Sequence, residues 1–274
     1  MRLFFNDCQV LDYFAVKVAT PVNISRRKII SIAPYALISA CANHPRHVPK
    51  EHTELSAKEL IYENSLTHES LVKDFRLEGK ALISFPNNRL RLQNAEDPNL
   101  GQASNFVFWC AKKFQKDIEI AWEFLPIEEP GLCVAFFNAN GQNGIDLFDP
   151  SLKRRTGEYD QYTNSDLNAL QVSYFRRRWP DERAFHLCNL RQAPGFKLLA
   201  TAADPIPDVE DVKEPYIVRI RRYKNIVDFS INDLELIRHP LDNESNASEG
   251  GYFGFRQMAP LIGEYANLKV YALK

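Results

Sequence analysis

The feature that most constrains the fold is a strict alternation of apolar and polar residues in segment 117–124, DIEIAWEF. In a β-strand, Ile118, Ile120, Trp122 and Phe124 share one face, and the residues between them share the other. Burial of each large apolar side chain stabilises the fold by roughly 1.5–3 kcal/mol. The pattern therefore predicts a strand whose register is fixed by one core-facing side.

Similar short runs recur along most of the chain, separated by turns rich in Asn, Gly, Pro and Asp. They are segments 81–85, 90–93, 105–110, 117–125, 131–138, 171–178, 184–191, 196–202, 216–223, 226–231, 251–256 and 268–273. Long helical periodicity is nearly absent. Many short alternating strands are typical of an antiparallel sandwich or barrel. We therefore expect an all-β fold that begins near Glu59.

The first 58 residues have a different character. The positive residues 26–28 precede an apolar stretch at 29–40 that ends at Cys41, which is the layout of a signal peptide with a bacterial lipobox. About a dozen apolar residues are too few for a stable membrane span. We predict a signal peptide region over 1–40, with translation starting near Val22 rather than Met1. A lipid on Cys41 and a flexible tether over 41–58 would then hold the domain in the periplasm or cell envelope.

Charge and cysteine usage exclude several classes of function. The formal net charge is −1, so the chain lacks the basic character of a nucleic-acid-binding protein. The five cysteines show no CxxC spacing and no cysteine–histidine cluster. Cys110, Cys133 and Cys188 lie in apolar runs, where buried free thiols are the default. We expect neither a metal nor another cofactor.

An arginine-rich segment, residues 173–195, is the main candidate for a functional site. Its period-2 pattern predicts strands at 171–178 and 184–191 joined by a turn around Trp179. Alternation places Tyr174 and Arg176 on one face of the first strand. On the second strand it places His186 opposite to Asn189 and Arg191. Either a bulge interrupts the alternation so that all of them bind one ligand, or some of these residues belong to the core.

The chemistry of arginine indicates an anionic ligand for this hairpin. The planar guanidinium fork matches the oxygens of carboxylates, sulfates and phosphates. In a chain with almost no net charge, a local arginine cluster points to a local anionic partner. The alternative is a set of structural arginines that pair with nearby acids, or a solvated hairpin tip.

The long segment 138–168 precedes this hairpin and contains several acidic, basic and aromatic residues. Loops longer than about 15 residues without regular structure are uncommon and often functional. The loop could close over one face of the sheet and line a cleft. The alternative is a surface excursion whose turns satisfy their own polar groups.

Several longer motifs of the chain resemble those of the YesU-like family of bacterial proteins. They are FVFWC at 106–110, EEPGLC at 128–133, DLFDP at 146–150, RTGEY at 155–159, VSYFRR at 172–177, ERAFH at 182–186 and GFRQMAPLI at 254–262. The resemblance covers about residues 59–274. It implies a two-sheet antiparallel jelly-roll sandwich of the concanavalin A-like lectin/glucanase type. The family's context is polysaccharide breakdown, so the resemblance implies a glycan partner rather than a particular reaction.

A concave sheet across which a glycan lies would give the polar faces a role. Glycoside hydrolysis needs two carboxylates about 5–5.5 Å apart for retention and further apart for inversion. Glu119 and Glu123 are four residues apart on one strand face, which separates their backbones by about 13 Å. The familiar glucanase arrangement of closely alternating acids is also missing. These points disfavour a standard glucanase.

Elimination on a uronate suits the residue types better. Arginine or asparagine can neutralise the carboxylate, and tyrosine or histidine can move the protons. We predict a lyase or dehydratase acting on an acidic oligosaccharide or polysaccharide. The alternatives are a non-catalytic glycan-binding lipoprotein, a glycoside hydrolase or an accessory envelope protein. The predicted catalytic residues are His186, Tyr174 and Arg176, and the predicted substrate-binding residues are Glu123, Asn138, Asp146, Tyr159, Asn189, Arg191, Arg256 and Gln257.

Overall fold

The strands of the protein form two stacked antiparallel sheets. The computed structural model describes residues 57–242 and 250–274. The strands are β1 (Lys58–Asn64), β2 (Arg76–Gly79), β3 (Ala81–Ser84), β4 (Leu90–Asn94), β5 (Phe106–Phe114), β6 (Ile118–Glu128), β7 (Leu132–Gly141), β8 (Leu167–Tyr174), β9 (Leu187–Ala193), β10 (Lys197–Ala203), β11 (Tyr216–Tyr223), β12 (Ile226–Ile231), β13 (Leu234–Pro240), β14 (Gly251–Met258) and β15 (Ile262–Leu273). The predicted all-β sandwich is confirmed. The predicted signal region, Cys41 and nearly all of the tether lie outside the described residues.

Sheet A and sheet B are the names used below for the two sheets. Sheet A has the strand order β13-β12-β11-β6-β15-β4-β3, with β1 also paired to β15. Sheet B has the order β10-β9-β8-β7-β14-β5-β2. Two short helices, α1 (Asp160–Thr163) and α2 (Pro180–Phe185), lie in the connections on either side of β8. Within the described part of the chain, no helix is long and apolar enough to cross a membrane.

The main hydrophobic core lies between the two sheets, as the alternation in β6 predicts. Ile118, Ile120, Trp122 and Phe124 are at most 2% exposed and belong to this core. Cys110, Cys133 and Cys188 are buried free thiols in the same layer. Burial raises the pKa of Cys133 to about 12, so this thiol stays protonated at neutral pH.

A second apolar cluster covers part of the outer face of sheet B. Val107, Trp109 and Phe136 point away from the main core and pack beneath the segment between β7 and β8. Leu147 and Tyr162 of that segment are fully buried against them. The ring centroids of Tyr162 and Phe136 are 5.5 Å apart. The prediction that the long loop closes over one face of the sheet is confirmed.

The predicted arginine hairpin is wrong in its details. β8 ends at Tyr174, and Phe175 adopts a positive φ of 45°. The chain then forms α2, in which Pro180 occupies the first helical turn, instead of a tight turn. Proline at this position is favourable because its fixed φ suits a helix start. His186 caps α2 in the left-handed conformation, and β9 begins at Leu187.

Candidate functional site

A cleft of about 180 Å³ lies on the outer face of sheet B, beside the apolar cluster under the loop. We call it the arginine cleft. Strands β7, β8, β9 and β14 form its floor, and the loop and α2 contribute its walls. Its lining residues are Gln102, Leu132, Val134, Tyr159, Ser173, Arg176, Trp179, Glu182, Asn189, Arg191, Phe196, Arg256 and Met258.

Arg256 on β14 is the most deeply placed charge in the arginine cleft. It is 1% exposed, and its Nη2 donates to Gln102 Oε1 at 3.0 Å and to the Gly157 carbonyl at 3.3 Å. Its guanidinium lies 4.6 Å from the centroid of the Tyr159 ring. Its Nε and Nη1 have no partner, and no carboxylate of the described residues pairs with it. Arg256 therefore carries a buried positive charge with two unused donors.

Burial lowers the pKa of Arg256 to about 10, because the charged form loses hydration. An unpaired buried charge is costly, so buried arginines normally have an acidic partner. Among the described residues Arg256 has none. A bound anion would supply the missing partner.

Arg191 extends the positive charge along β9. Its guanidinium stacks 3.9 Å from the centroid of the Phe196 ring, and Nη1 donates to the Phe196 carbonyl at 3.2 Å. Burial lowers its pKa, and the nearby Arg176 lowers it further. No carboxylate of the described residues forms a salt bridge with Arg191. Two of the cleft's arginines thus lack an acidic partner in the described structure.

Arg176 differs because it is held by its neighbours. It pairs with Glu182 on α2, and its Nη1 donates at 2.7 Å to the Asn189 side-chain oxygen when that amide faces it. In this orientation the Asn189 amide nitrogen donates to the Thr201 hydroxyl at 2.9 Å and to the Cys188 carbonyl at 3.0 Å. Glu182 is the one carboxylate among the lining residues, so three guanidinium groups leave the cleft positively charged.

Tyr159 is the loop residue that enters the cleft. Its hydroxyl donates to Gln171 Oε1 at 2.9 Å, while Gln171 Nε2 has no partner within the described part of the chain. Burial raises the pKa of Tyr159, although Arg256 and Arg191 favour its ionised form. The phenol is therefore neutral at physiological pH and suits hydrogen bonding or proton donation rather than proton abstraction.

Aromatic side chains stand at the mouth of the cleft. Trp179 is 48% exposed and Phe196 is 40% exposed, although both are large and apolar. Phe196 also contacts Tyr159 edge to face, with ring centroids 5.5 Å apart. Exposed rings beside polar groups are suited to contact the apolar face of a ligand ring.

The arginine cleft contains Arg176, Asn189, Arg191, Arg256 and Tyr159 of the sequence-predicted site. The prediction that Tyr174 shares a face with Arg176 is wrong. The positive φ of Phe175 reverses the alternation, so Arg176 reaches the outer face while Tyr174 points into the main core. There the Tyr174 hydroxyl accepts a hydrogen bond from Trp122 Nε1 at 3.3 Å.

His186 does not line the cleft either. Its Nδ1 lies 3.0 Å from Arg177 Nη2, and its Nε2 lies 3.2 Å from Asp208 Oδ1. Arg177 is fully buried and also contacts Asp204 at 3.6 Å. This ion-paired cluster fixes α2 to the segment after β10. The predicted convergence of His186, Tyr174 and Arg176 on one ligand is therefore wrong.

Four predicted binding residues have structural partners elsewhere. Gln257 lies on the inner face of β14, where its amide donates to the Leu92 carbonyl and accepts from Tyr265. Glu123 lies on the outer face of sheet A and binds Arg89.

The other two of these residues position the chain rather than the ligand. Asp146 accepts from the Tyr252 hydroxyl at 2.7 Å, which fastens the loop to sheet B and contributes to a lowered pKa despite partial desolvation. Asn138 adopts a positive φ at the bulge in β7 and donates to the Lys116 carbonyl.

Sequence reasoning missed Gln102 and Glu182 as members of the site. Gln102 is far from Arg256 in sequence, and no spacing connects them. Glu182 lies in a segment that the period-2 pattern assigns to the turn region of a hairpin. Only the helix start at Pro180, followed by two acids, signals its true position.

A larger depression of about 390 Å³ lies on the outer face of sheet A. Its arginines and its lysine all pair with carboxylates. Lys58 binds Glu119 at 3.0 Å, and Arg221 Nε binds Asp228 at 2.7 Å. The smaller arginine cleft differs because its charge is not balanced. Among the described residues, no group of three or more His, Cys, Asp or Glu side chains is arranged to hold a metal ion.

The chain is similar to known proteins over most of its length. Residues 59–270 match the family model described as "Domain of unknown function (DUF1961)". The uncharacterized protein YesU of Bacillus subtilis (strain 168) is 45% identical over 213 residues, which are 77% of this chain and 94% of that protein. A crystal structure of a protein of unknown function with galectin-like fold from Bacillus subtilis matches with a TM-score of 0.75 and 43% identity, covering 80% of this chain and 100% of that one.

A more distant match is the kappa-carrageenase from Pseudoalteromonas carrageenovora, solved in complex with an oligotetrasaccharide of kappa-carrageenan. Its TM-score is 0.51 at 8% identity, covering 82% of this chain and 98% of that chain. At this identity the match concerns the sandwich fold alone.

Proposed function

The chain belongs to the DUF1961 family, and from its geometry we propose that the sandwich domain binds a short acidic saccharide in the arginine cleft. The carrageenase fold match supports this proposal, because a sandwich of this type accepts a saccharide in that enzyme. The cleft supplies the chemistry that an acidic sugar requires. Arginines can bind its anionic group, amides its hydroxyls, and aromatic rings its apolar face.

The observation that carries the proposal is the buried Arg256. Its Nε and Nη1 point to no acceptor in the described structure, and its charge has no carboxylate partner. Nε and Nη1 lie on opposite edges of the guanidinium, and Nη2 already donates to Gln102 and Gly157, so a ligand carboxylate or sulfate would accept a charge-assisted hydrogen bond from one of the two unused donors. Arg191, the second arginine without an acidic partner among the described residues, adds positive charge from β9, across the cleft floor from Arg256 on β14.

A second candidate function is elimination on an acidic saccharide, and Tyr159 is the residue that favours it. The arginines would neutralise the substrate carboxylate. Glu182 would take the proton from the neighbouring carbon as the carbon–oxygen bond breaks and a carbon–carbon double bond forms. The neutral Tyr159 would donate its proton to the departing oxygen. Hydrolysis fits less well, because Glu182 is the only carboxylate among the described residues that line the cleft.

Isothermal titration calorimetry on the full chain tests the binding proposal. The ligands are galacturonate and glucuronate oligosaccharides, sulfated galacto-oligosaccharides and neutral oligosaccharides of the same lengths. We expect heat only from the acidic ligands, with affinity that falls as sodium chloride is added. Equal affinity for neutral and acidic ligands would contradict the proposal, and so would the absence of binding by every acidic ligand.

Ultraviolet absorbance and product mass, recorded on the same mixtures, distinguish the two candidate functions. Elimination produces an absorbing unsaturated sugar. Hydrolysis adds the mass of water without this absorbance. Unchanged ligands after binding would identify a binding domain.

We also propose that Cys41 carries a lipid and that residues 41–58 tether the domain to the cell envelope. The positive residues 26–28 and the short apolar segment 29–40 support this proposal. Mass spectrometry of the protein isolated from its own cells tests it. A mature chain that retains residues before Cys41 would contradict it.

A further inference from the structure

We infer that the arginine cleft receives the terminal residue of an acidic saccharide and does not bind the interior of a long chain. This inference rests on the proposed function and specifies which part of the ligand enters. Its basis is the shape of the outer face of sheet B, where the loop covers one part and a wall closes another.

The loop between β7 and β8 removes the space in which a chain could continue along the strands. Leu147 and Tyr162 are fully buried on the outer face of β5 and β7. Tyr162 lies against Phe136 and Trp109, with ring centroids 5.5 and 6.4 Å apart. This packing is continuous with the side of the cleft formed by Tyr159, so a saccharide cannot pass beneath it.

A second wall closes the cleft on the side of strand β14, beyond Arg256. Gln102 and the Gly157 carbonyl both accept hydrogen bonds from Arg256 Nη2. Gly157 has a φ of +99° and packs directly against the backbone of Asn105, where a Cβ would overlap the Asn105 carbonyl oxygen. The two segments are in backbone contact, so no channel continues between them.

The volume agrees with a short binding site. Typical small-molecule sites enclose about 300–1,000 Å³, whereas this cleft encloses about 180 Å³. The space suits one sugar ring. The half-exposed rings of Trp179 and Phe196 mark the open side. The anionic group of the terminal residue would thus bind Arg256, and the next residues would leave the cleft between the two aromatic rings.

A length series tests this inference with the full wild-type chain. The probes are oligogalacturonates from the monomer to the hexamer, with sulfated galacto-oligosaccharides of matching lengths as a second series. The two series distinguish a carboxylate from a sulfate as the bound group. We expect the dissociation constant to stop changing by the dimer.

Polygalacturonate cut to different average lengths provides the second measurement. At a fixed total concentration of uronate, the fraction of protein that has bound ligand should rise with the concentration of chain ends. Affinity that continues to rise through the hexamer, or saturation that ignores chain ends, would contradict terminal binding while leaving the proposed function intact. Failure of every acidic probe to bind would instead contradict the proposed function.

Discussion

Replacement of Arg256 by methionine should weaken ligand binding without harming the fold. The reason is that Arg256 contributes to ligand binding but destabilises the folded protein when no ligand is bound. In the free protein its charge is buried, and two of its donors are unused. Methionine fills a similar elongated volume and needs no hydrogen bonds.

The magnitude of the binding loss follows from the one hydrogen bond that a free donor of Arg256 can make to the anion. A hydrogen bond to a charged group contributes about 1.5–3 kcal/mol. Each 1.4 kcal/mol corresponds to a tenfold change in affinity. We therefore expect Arg256→Met to weaken binding of the best acidic ligand by at least about tenfold.

The free energy of unfolding of Arg256→Met should be unchanged or higher than that of the wild type. Replacement of buried charges by well-packed apolar residues is often neutral or stabilising by about 1–4 kcal/mol. The variant loses the stacking on Tyr159 and the 3.3 Å bond to Gly157, but Gln102 Oε1 still accepts from Asn105. We expect an unchanged or higher Tm in differential scanning calorimetry. For a domain of this size, 1 kcal/mol corresponds to about 2–4 °C.

Arg222 offers a matched control on the other sheet. It lies on the inner face of β11, is 1% exposed, and also has an unpartnered Nε and Nη1. Burial lowers its pKa as well. Arg222→Met should leave binding unchanged. Wild-type affinity in Arg256→Met, or a clear fall in its Tm with no effect on affinity, would refute the reasoning and make Arg256 a structural residue.

Four further predictions concern the walls of the cleft, its charge and the core. Gly157→Ala should lower the Tm and weaken binding together, because the new Cβ overlaps the Asn105 carbonyl; an unchanged Tm in calorimetry would contradict the close packing. Trp179→Ala should weaken binding by about 0.5–1.5 kcal/mol through lost ring contact and leave the Tm unchanged; titration and calorimetry measure the two effects. Affinity should stay constant from neutral pH to about pH 9 and fall as the pH passes the Arg256 pKa of about 10. The free protein should gain stability over the same pH range, because the unfolded chain keeps the Arg256 proton that the folded chain has lost. A flat affinity profile would count against this assignment. Tyr174→Phe should cost about 0.5–1.5 kcal/mol of unfolding free energy in urea and leave binding and any activity unchanged; loss of either would return this residue to the site.

The sequence predicts the sandwich well because alternation depends on local physics. In β6 the side chains that alternate in the sequence also alternate between core and surface. The same logic fails after Tyr174, where one residue with positive φ reverses the faces. Phe175 carries no sequence signal for this conformation, since positive φ is uncommon for a bulky residue. The choice of Tyr174 as a catalytic residue follows directly from that failure.

The types of residue in the site are easier to predict from the sequence than which of them come together in the folded protein. The arginine-rich segment points to Arg176 and Arg191 and the late strand points to Arg256, and the structure places all three in the cleft. Gln102 joins the cleft only because its connection lies against the end of β14, a long-range contact that periodicity does not describe. His186 shows the reverse error, since its titratable ring is used to hold Arg177 and Asp208.

Sheet B packs against apolar side chains on both faces. The main core covers its inner face, and the apolar cluster beneath the loop covers part of its outer face. The wall that contains Tyr159 is therefore anchored by a small core of its own rather than by the ligand. Immobilising a flexible side chain on binding costs about 0.5–1.5 kcal/mol, and here that entropy is already lost when the chain folds. A preformed site of this kind favours rapid association and sharp discrimination between sugars, because the pocket does not reshape itself around a poor fit. New specificities would arise most readily at the exposed mouth, where Trp179 is 48% exposed and belongs to neither core.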